Sequence, residues 1–271
     1  MLHELGAVPV VADALDPLQV ADAVARAEPD VIVHQLTAIG AIDTRHFQRS
    51  FAPTNRLRTE GTDFLLSAGQ AAGVRRFVAQ SNIVAYARNG AAVKSEEDPV
   101  DPSPARGMRA NLAAIRHLEA AVLSAEWTEG IVLRYGWFYG PGTSLAPGEG
   151  QFELIRRRKL PLVGDGGGVW SFIHVADAAE ATVAAVERGR RGVYNVVDDD
   201  PAPVAEWLPA LARTLGARKP MRVPRLVGRL LAGEPVVVMM TELRGASNAK
   251  ARRELRWSPA HPSWRQGFAA A

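Results

Sequence analysis

The sequence predicts an α/β protein with a doubly wound parallel sheet and a small carboxyl-side lobe. Three observations lead there. Short apolar runs such as Val31-Ile32-Val33 and Phe77-Val78-Ala79 alternate with segments of helical period, as strands joined by crossover helices do. These runs are continuously apolar, as strands covered on both faces are. The third observation is the stretch 131–142, IVLRYGWFYGPG. Ile131-Val132-Leu133 makes a buried strand, and Tyr139-Gly140-Pro141-Gly142 then forces a turn, since Gly permits positive φ and Pro fixes φ. Ligands of open α/β sheets sit beyond the carboxyl ends of strands. This turn therefore reads as one wall of a binding crevice, with an ordinary strand-to-loop turn as the alternative.

The elements follow in order. Residues 1–5 resemble the last turn of a helix, with Gly6 as its C-cap. A strand is expected at 7–13, a helix over 15–29 and a strand at 30–36. Segments 43–51 and 54–73 are helical, the latter stopped by Gly73. A strand follows at 76–81, then a polar, Pro-rich loop over 89–107 and a clear helix over 108–123, with Leu112, Ile115, Leu118 and Val122 on one face. The central strand is 129–135. A loop over 142–151 precedes a helix at 152–160. Residues 161–170 read as a strand and a hairpin-like glycine connection. A phosphate loop would want a following helix and a Lys-Ser/Thr pair. A helix at 175–189, a strand at 192–197 and an amphipathic helix at 204–217 complete the regular part.

Composition narrows the class. The 271 residues suffice for one large domain, or one with an added lobe. No cysteine is present, which removes disulfides and thiolate chemistry and fits a cytoplasmic location. No apolar run reaches the roughly 20 residues of a membrane span, and MLHELGAVPVV lacks the order of a signal peptide. Since 32 basic and 29 acidic residues nearly balance, no nucleic-acid footprint is read. Arg156-Arg157-Arg158-Lys159 is read as a solvated helix end.

RYGWFYGPG at 134–142 resembles the RxxxxYGP turn of the extended short-chain dehydrogenase/reductases, the NAD-dependent epimerase/dehydratase family. WSFIHVADAAEA at 170–181, GVYNVVDDDP at 192–201 and SNAKARRELRWSP at 247–259 agree in order and spacing. The resemblance implies a Rossmann-like dinucleotide-binding domain over 1–144. It implies a substrate lobe over most of 145–271, with the strand 192–197 returning to the main sheet. By the same resemblance the chain opens at about the family's third strand, without the GxxGxxG turn that carries pyrophosphate to a helix N-terminus. NAD or NADP is the implied cofactor, with impaired binding.

Site residues follow residue by residue. Asp13 matches an Asp that contacts adenine, with a turn or N-cap role as the alternative. Leu36 and Thr37, in HQLTA at 34–38, would face the adenine-side ribose. Ser81, Tyr135 and Gly136 are expected along the cofactor, and Tyr139 and Trp170 along the substrate. Trp170 stands where nucleotide-sugar enzymes of the family place an Arg, so a nucleotide-sugar is disfavoured; Trp170 is otherwise core.

The family's chemistry uses a hydroxyl residue, a Tyr and a Lys that helps lower the Tyr pKa. The positional counterparts here are Asn82, Asn111 and Ile115. Asn has no titratable proton, and Tyr86 is the remaining phenol considered as an acid. The expectation is an oxidoreductase relative acting on a small molecule that is not a nucleotide-sugar. The competing readings are a non-catalytic cofactor or ligand sensor and a non-functional fragment. No nucleic acid or membrane partner is expected, and a homodimer is the assembly considered.

Overall fold

The computed structural model describes residues 3–40, 42–146, 148 and 150–269. The predicted turn at 1–5 therefore lies partly outside the described residues; His3–Leu5 form a short 3-10 turn that ends at Gly6, φ 77°. Helix α1 (Pro17–Ala27) begins where the Asp16 carboxylate accepts the N–H groups of Leu18 and Gln19, with Pro17 at the position where a missing N–H costs nothing. Strand β1 (Val31–His34) follows. The next helical segment runs without a break from 47 to 71: α2 (Phe47–Arg56), a π-turn at Leu57–Gly61, and α3 (Thr62–Ala71). The Thr62 N–H reaches back five residues to the Leu57 carbonyl. The Thr62 hydroxyl donates to the Arg58 carbonyl at 2.9 Å.

Strand β2 (Arg76–Asn82), the short β3 (Val93–Lys94), helix α4 (Arg109–Ser124) and strands β4 (Glu129–Tyr135) and β5 (Trp137–Tyr139) lead into α5 (Gly150–Arg156). Then come β6 (Leu162–Val163), β7 (Val169–Trp170), β8 (Phe172–His174), α6 (Val175–Arg188) and β9 (Gly192–Val196). Beyond these lie β10 (Ala202–Pro203), α7 (Val204–Thr214), β11 (Arg222–Val223), α8 (Arg225–Ala232), α9 (Glu234–Thr241), β12 (Gly245–Ala246), α10 (Ala249–Glu254) and α11 (Trp264–Ala269).

The main sheet has the order β1-β2-β4-β9, every pair parallel. Its side chains alternate as the pleat requires. Phe77, Ala79 and Val132 pack with Val20 and Val24 of α1, Ala68 of α3 and Leu118 and Val122 of α4. Val78, Ile131 and Leu133 pack on the opposite face with Ala178, Ala181 and Ala185 of α6 and Ala251 of α10. Helices on both faces of a parallel sheet are the doubly wound architecture. A separate aromatic core gathers Tyr139, Trp170, Phe172, Trp207, Trp264 and Phe268. No helix among the described residues is long and apolar enough to cross a membrane.

Two expectations are corrected. The strand expected at 7–13 does not form; Val8, Val10 and Val11 are exposed in an irregular segment. In the order 3-2-1-4 of a doubly wound sheet, two strands stand between the third and the fourth. Among the described residues none pairs with the outer edge of β1, so the segment finds no backbone partner. The hairpin expected within 161–170 also does not form. Strand β6 pairs in parallel with β11, and β7 pairs antiparallel with β10. Gly164 and Gly166, φ 59° and 68°, redirect the chain between these two unconnected pairs.

Candidate active site

The carboxyl ends of β2 and β4 end together, because Asn82 is the register partner of Tyr135 and Ser81 of Arg134. Tyr135 in turn faces Val196 of β9. Asn82 leaves the strand by accepting the Val84 N–H on its own Oδ1 at 3.1 Å. Its Nδ2 keeps both hydrogens available, since no other bond engages it among the described residues. The Tyr135 hydroxyl accepts from Gln35 Nε2 at 3.1 Å and lies 2.6 Å from Thr182 Oγ1, so the turn after β1 is bonded to the end of β4. Gly136 follows, and a Cβ there would stand 2.6 Å from the Ser171 carbonyl oxygen. Only glycine lets β4 pass so close to the strand that follows β7. At Gly140, φ 100°, a Cβ would stand 2.5 Å from His174 Nε2.

Beneath these strand ends lies a buried polar cluster. Arg134 donates from Nε and Nη2 to the two oxygens of Glu119, at 2.8 and 2.6 Å. Ser81 Oγ donates to Glu119 Oε1 at 2.6 Å. Burial opposes the Arg134 charge, but the Glu119 hydrogen bonds and charge outweigh it and raise its pKa. The guanidinium also lies over the Tyr86 ring, 4.7 Å from its centroid. The Tyr86 hydroxyl donates to Asn195 Oδ1 at 2.7 Å. Burial raises the Tyr86 pKa despite Arg134, and burial likewise raises that of Tyr135. Neither phenol is tuned to release a proton near neutrality.

The other expected positions are distributed as follows. Asn111 is buried on α4, and its Nδ2 lies 3.4 Å from Asn55 Oδ1 on α2. Ile115, one turn on, is buried as well. Asp13 is exposed; its Oδ1 accepts the Leu15 N–H at 2.9 Å, a turn that leads into the Asp16 cap. Leu36 and Thr37 are exposed in the turn after β1, where the Leu36 N–H donates to His34 Nδ1 at 3.3 Å. Trp170 Nε1 donates to the Met239 carbonyl at 2.8 Å, which makes it part of the aromatic core rather than of a surface. Tyr139 is 1% exposed beside it. The structure thus joins Asn82, Tyr135 and Gly136 at one strand end, with Ser81 and Tyr86 directed into the polar cluster below. Trp170 and Tyr139 belong to the lobe, and no hydrogen bond among the described residues links Asn111 to Asn82 or Tyr86.

Sequence reading passed over three residues here. Gln35 carries the bond to Tyr135. Trp137 stacks on Trp170 at a centroid distance of 3.9 Å with its Nε1 buried and unpartnered. Arg58 is 4% exposed, and its Nη1 is buried without a partner. The signal for Arg58 was its four-residue spacing from Thr54 and Thr62, which puts all three on one helix face.

His174, Asp177 and His261 bring ligand atoms within 4.8 Å of one another. Asp177 is saturated, however: it accepts the N–H groups of Ala260 and His261 at 3.0 and 2.9 Å and faces His261 Nδ1 at 3.1 Å. His174 Nδ1 accepts from the Ala176 N–H. The group is a clasp between α6 and the segment before α11. Replacing Asp177 by Ala leaves two backbone N–H groups without acceptors. It is expected to lower stability by about 2 kcal/mol, read as a shift of the urea unfolding midpoint; a shift below a quarter of that would show the clasp to be idle.

A sequence model of the NAD dependent epimerase/dehydratase family matches residues 4–197. The chain is 48% identical over 261 residues to a protein named 3-diazoavenalumate denitrifying reductase from a Streptomyces species, with 96% of this chain and 85% of that protein covered. Among solved structures it resembles a UDP-glucose 4-epimerase of Thermotoga maritima with UDP-glucose. The TM-score there is 0.75 and the identity 20%, over 97% of this chain and 82% of the other. It also resembles a dTDP-glucose 4,6-dehydratase double mutant of Streptomyces venezuelae with NAD bound. That TM-score is 0.75 and the identity 22%, over 99% and 80% of the two chains.

Proposed function

The chain belongs to the NAD-dependent epimerase/dehydratase family, and from that premise we propose that it is a reductase that replaces the diazo group of a small aromatic carboxylate by hydrogen. The observation that carries the reading is the free amide of Asn82 where β2 and β4 end together, beside two phenols, Tyr86 and Tyr135, whose pKa values are raised rather than lowered. Asn111 and Ile115 stand at the positions where the family's Tyr and Lys are expected, and burial holds the Tyr86 and Tyr135 phenols above their ordinary pKa. Reducing a carbonyl leaves an alkoxide that needs a proton, and general acid help there is worth about 10²–10⁴ in rate. Reducing a diazonium carbon needs none. A C–H bond forms, the C–N bond breaks with its electron pair going to nitrogen, and neutral N2 leaves. The name of the Streptomyces relative, a denitrifying reductase of a diazo carboxylate, supports the same reaction class.

The fit to a nicotinamide cofactor is good on one side of the crevice. Asn82 Nδ2 is free to donate, Tyr135 and Gln35 bridge the ends of β4 and β1, and Gly136 lets the Ser171 backbone pack closely against the end of β4. Bound there, a reduced nicotinamide would supply the hydride. Asp13, Leu36 and Thr37 would hold the adenosine side. Asn82 would orient the substrate, and Trp137, with its unpartnered indole N–H, would line the lobe side of the crevice. Among the described residues no glycine turn at a helix N-terminus stands beside β1 to cradle a pyrophosphate.

The experiment follows absorbance at 340 nm with NADH or NADPH and a diazotised aminobenzoate. Expected are cofactor oxidation dependent on the diazonium, release of N2, and deuterium from 4-deuterated cofactor on the ring carbon that held nitrogen. Ketones and nucleotide-sugars should be inert. Turnover of either of these, or a product carbon without deuterium, would sink the proposal.

A further inference from the structure

The described residues hold three buried cations. Arg134 is paired with Glu119, and Lys94 with Asp98 at 3.0 Å. Arg58 is the exception: it is 4% exposed, and among the described residues no carboxylate lies within ion-pair distance of it. Its guanidinium makes no hydrogen bond among the described residues, and Nη1 is fully enclosed. A buried cation without a counter-charge is among the most costly groups a fold can carry.

Its placement is specific. Thr54, Arg58 and Thr62 form one buried stripe of the helix that runs from 47 to 71. Thr54 Oγ1 accepts the Ala38 N–H at 3.0 Å, and Thr62 Oγ1 lies 3.1 Å from His34 Nε2. The stripe therefore faces the turn 34–38 at the carboxyl end of β1, on the ligand side of an α/β sheet. The same helix is aligned with α4: Asn55 meets Asn111, and Asp63 meets His117 at 2.8 Å. The π-turn that carries Arg58 packs against α4 between these two contacts.

We propose that Arg58 is the cationic anchor of an oxyanion subsite under the carboxyl end of β1, taking a phosphate of the dinucleotide or a carboxylate of the substrate. An arginine suits either, because its planar fork matches both groups with paired N–H donors. His34 supports the assignment by staying neutral. Burial, with the nearby Arg58 charge, lowers its pKa to about 4, which leaves Arg58 as the sole positive charge of the stripe. The inference does not depend on which reaction the crevice performs.

The test compares the intact chain with Arg58→Met, which keeps length and removes charge, and with Arg58→Lys. Thermal unfolding and calorimetry are run at constant ionic strength with inorganic pyrophosphate and, separately, with benzoate. The expected result is that one anion raises the midpoint of the parent by several degrees. Arg58→Met abolishes that rise and weakens binding at least tenfold, and Arg58→Lys retains part of both. Without ligand, Arg58→Met should melt at or above the parent, since an unpaired buried charge has been removed. A rise with pyrophosphate points to the dinucleotide as the source, and a rise with benzoate to the substrate carboxylate. No rise with either anion, an undiminished rise in Arg58→Met, or a ligand-free Arg58→Met that melts well below the parent would each overturn the proposal. The last outcome would make Arg58 a structural strut.

Discussion

Glu119→Leu is expected to destabilise the chain by about 3–5 kcal/mol, the range for removing one partner of a buried ion pair. The substitution leaves the Arg134 guanidinium inside the sheet with only the Tyr86 ring for company, and it strands the Ser81 hydroxyl. Domains of this kind are stable by about 5–15 kcal/mol, so the variant should sit near the edge of folding at 37 °C. The double variant Glu119→Leu/Arg134→Met removes both charges and should recover much of the loss, because well-packed apolar replacements of a buried pair are often neutral. Urea unfolding of the parent, the single and the double variant is the measurement. A single-variant loss under about 1 kcal/mol would mean that the pair behaves as a surface pair does.

Acidification should cost the fold nearly as much through His34. The Thr62 hydroxyl gives its hydrogen to the Arg58 carbonyl, so it must accept from His34 Nε2–H. His34 Nδ1 accepts the Leu36 N–H and has no room for a proton. Burial first, and the Arg58 charge in addition, lower the pKa from 6.5 to about 4. A depressed histidine pKa means that the unfolded chain binds the proton more readily than the folded one. The contribution is therefore fully present above pH 6.5 and is lost as pH falls from there to about 4, reaching about 3 kcal/mol. His34→Gln keeps a donor and an acceptor but cannot titrate. The difference in unfolding free energy between parent and variant should change across that window and stay flat above it. A difference that does not vary with pH would refute this account.

The sequence made the main sheet legible because its strands are local apolar runs with helical segments between them. The expected 30–36, 76–81, 129–135 and 192–197 became β1, β2, β4 and β9 within a few residues at each end. The segment 7–13 has the same local character as these, yet strand formation requires a neighbour, and no local pattern reports one. The site was less legible for the same reason. Tyr86 stands near a strand end, as an acid would, but what decides its chemistry is Asn195, 109 residues away in the chain. Trp170 is expected along the substrate, with core as the alternative; it is 5% exposed, and the Met239 carbonyl and Trp137 ring that hold it are set by the lobe's packing, which no local pattern reports. Arg58 carries no mark in the sequence that sets it apart from the other arginines of the helical segment 54–73. Only the direction of its helix face, fixed by bonds to Ala38 and His34, makes it a buried charge.

The π-turn at Leu57–Gly61 gives the long helix a sensitivity to length that no side chain reveals. One residue more or less in a helix rotates everything beyond it by about 100°, and a π-turn is where a helix absorbs one extra residue. Deleting a single residue between 57 and 61 would regularise the backbone hydrogen bonds and leave both ends equally helical. It would also swing Thr54 and Asn55 away from Ala38 and Asn111 while Thr62 stayed on His34. Relatives that align without a gap across these five positions should therefore keep the two helix faces in the same phase. A relative one residue shorter there would carry a different residue beneath the turn after β1.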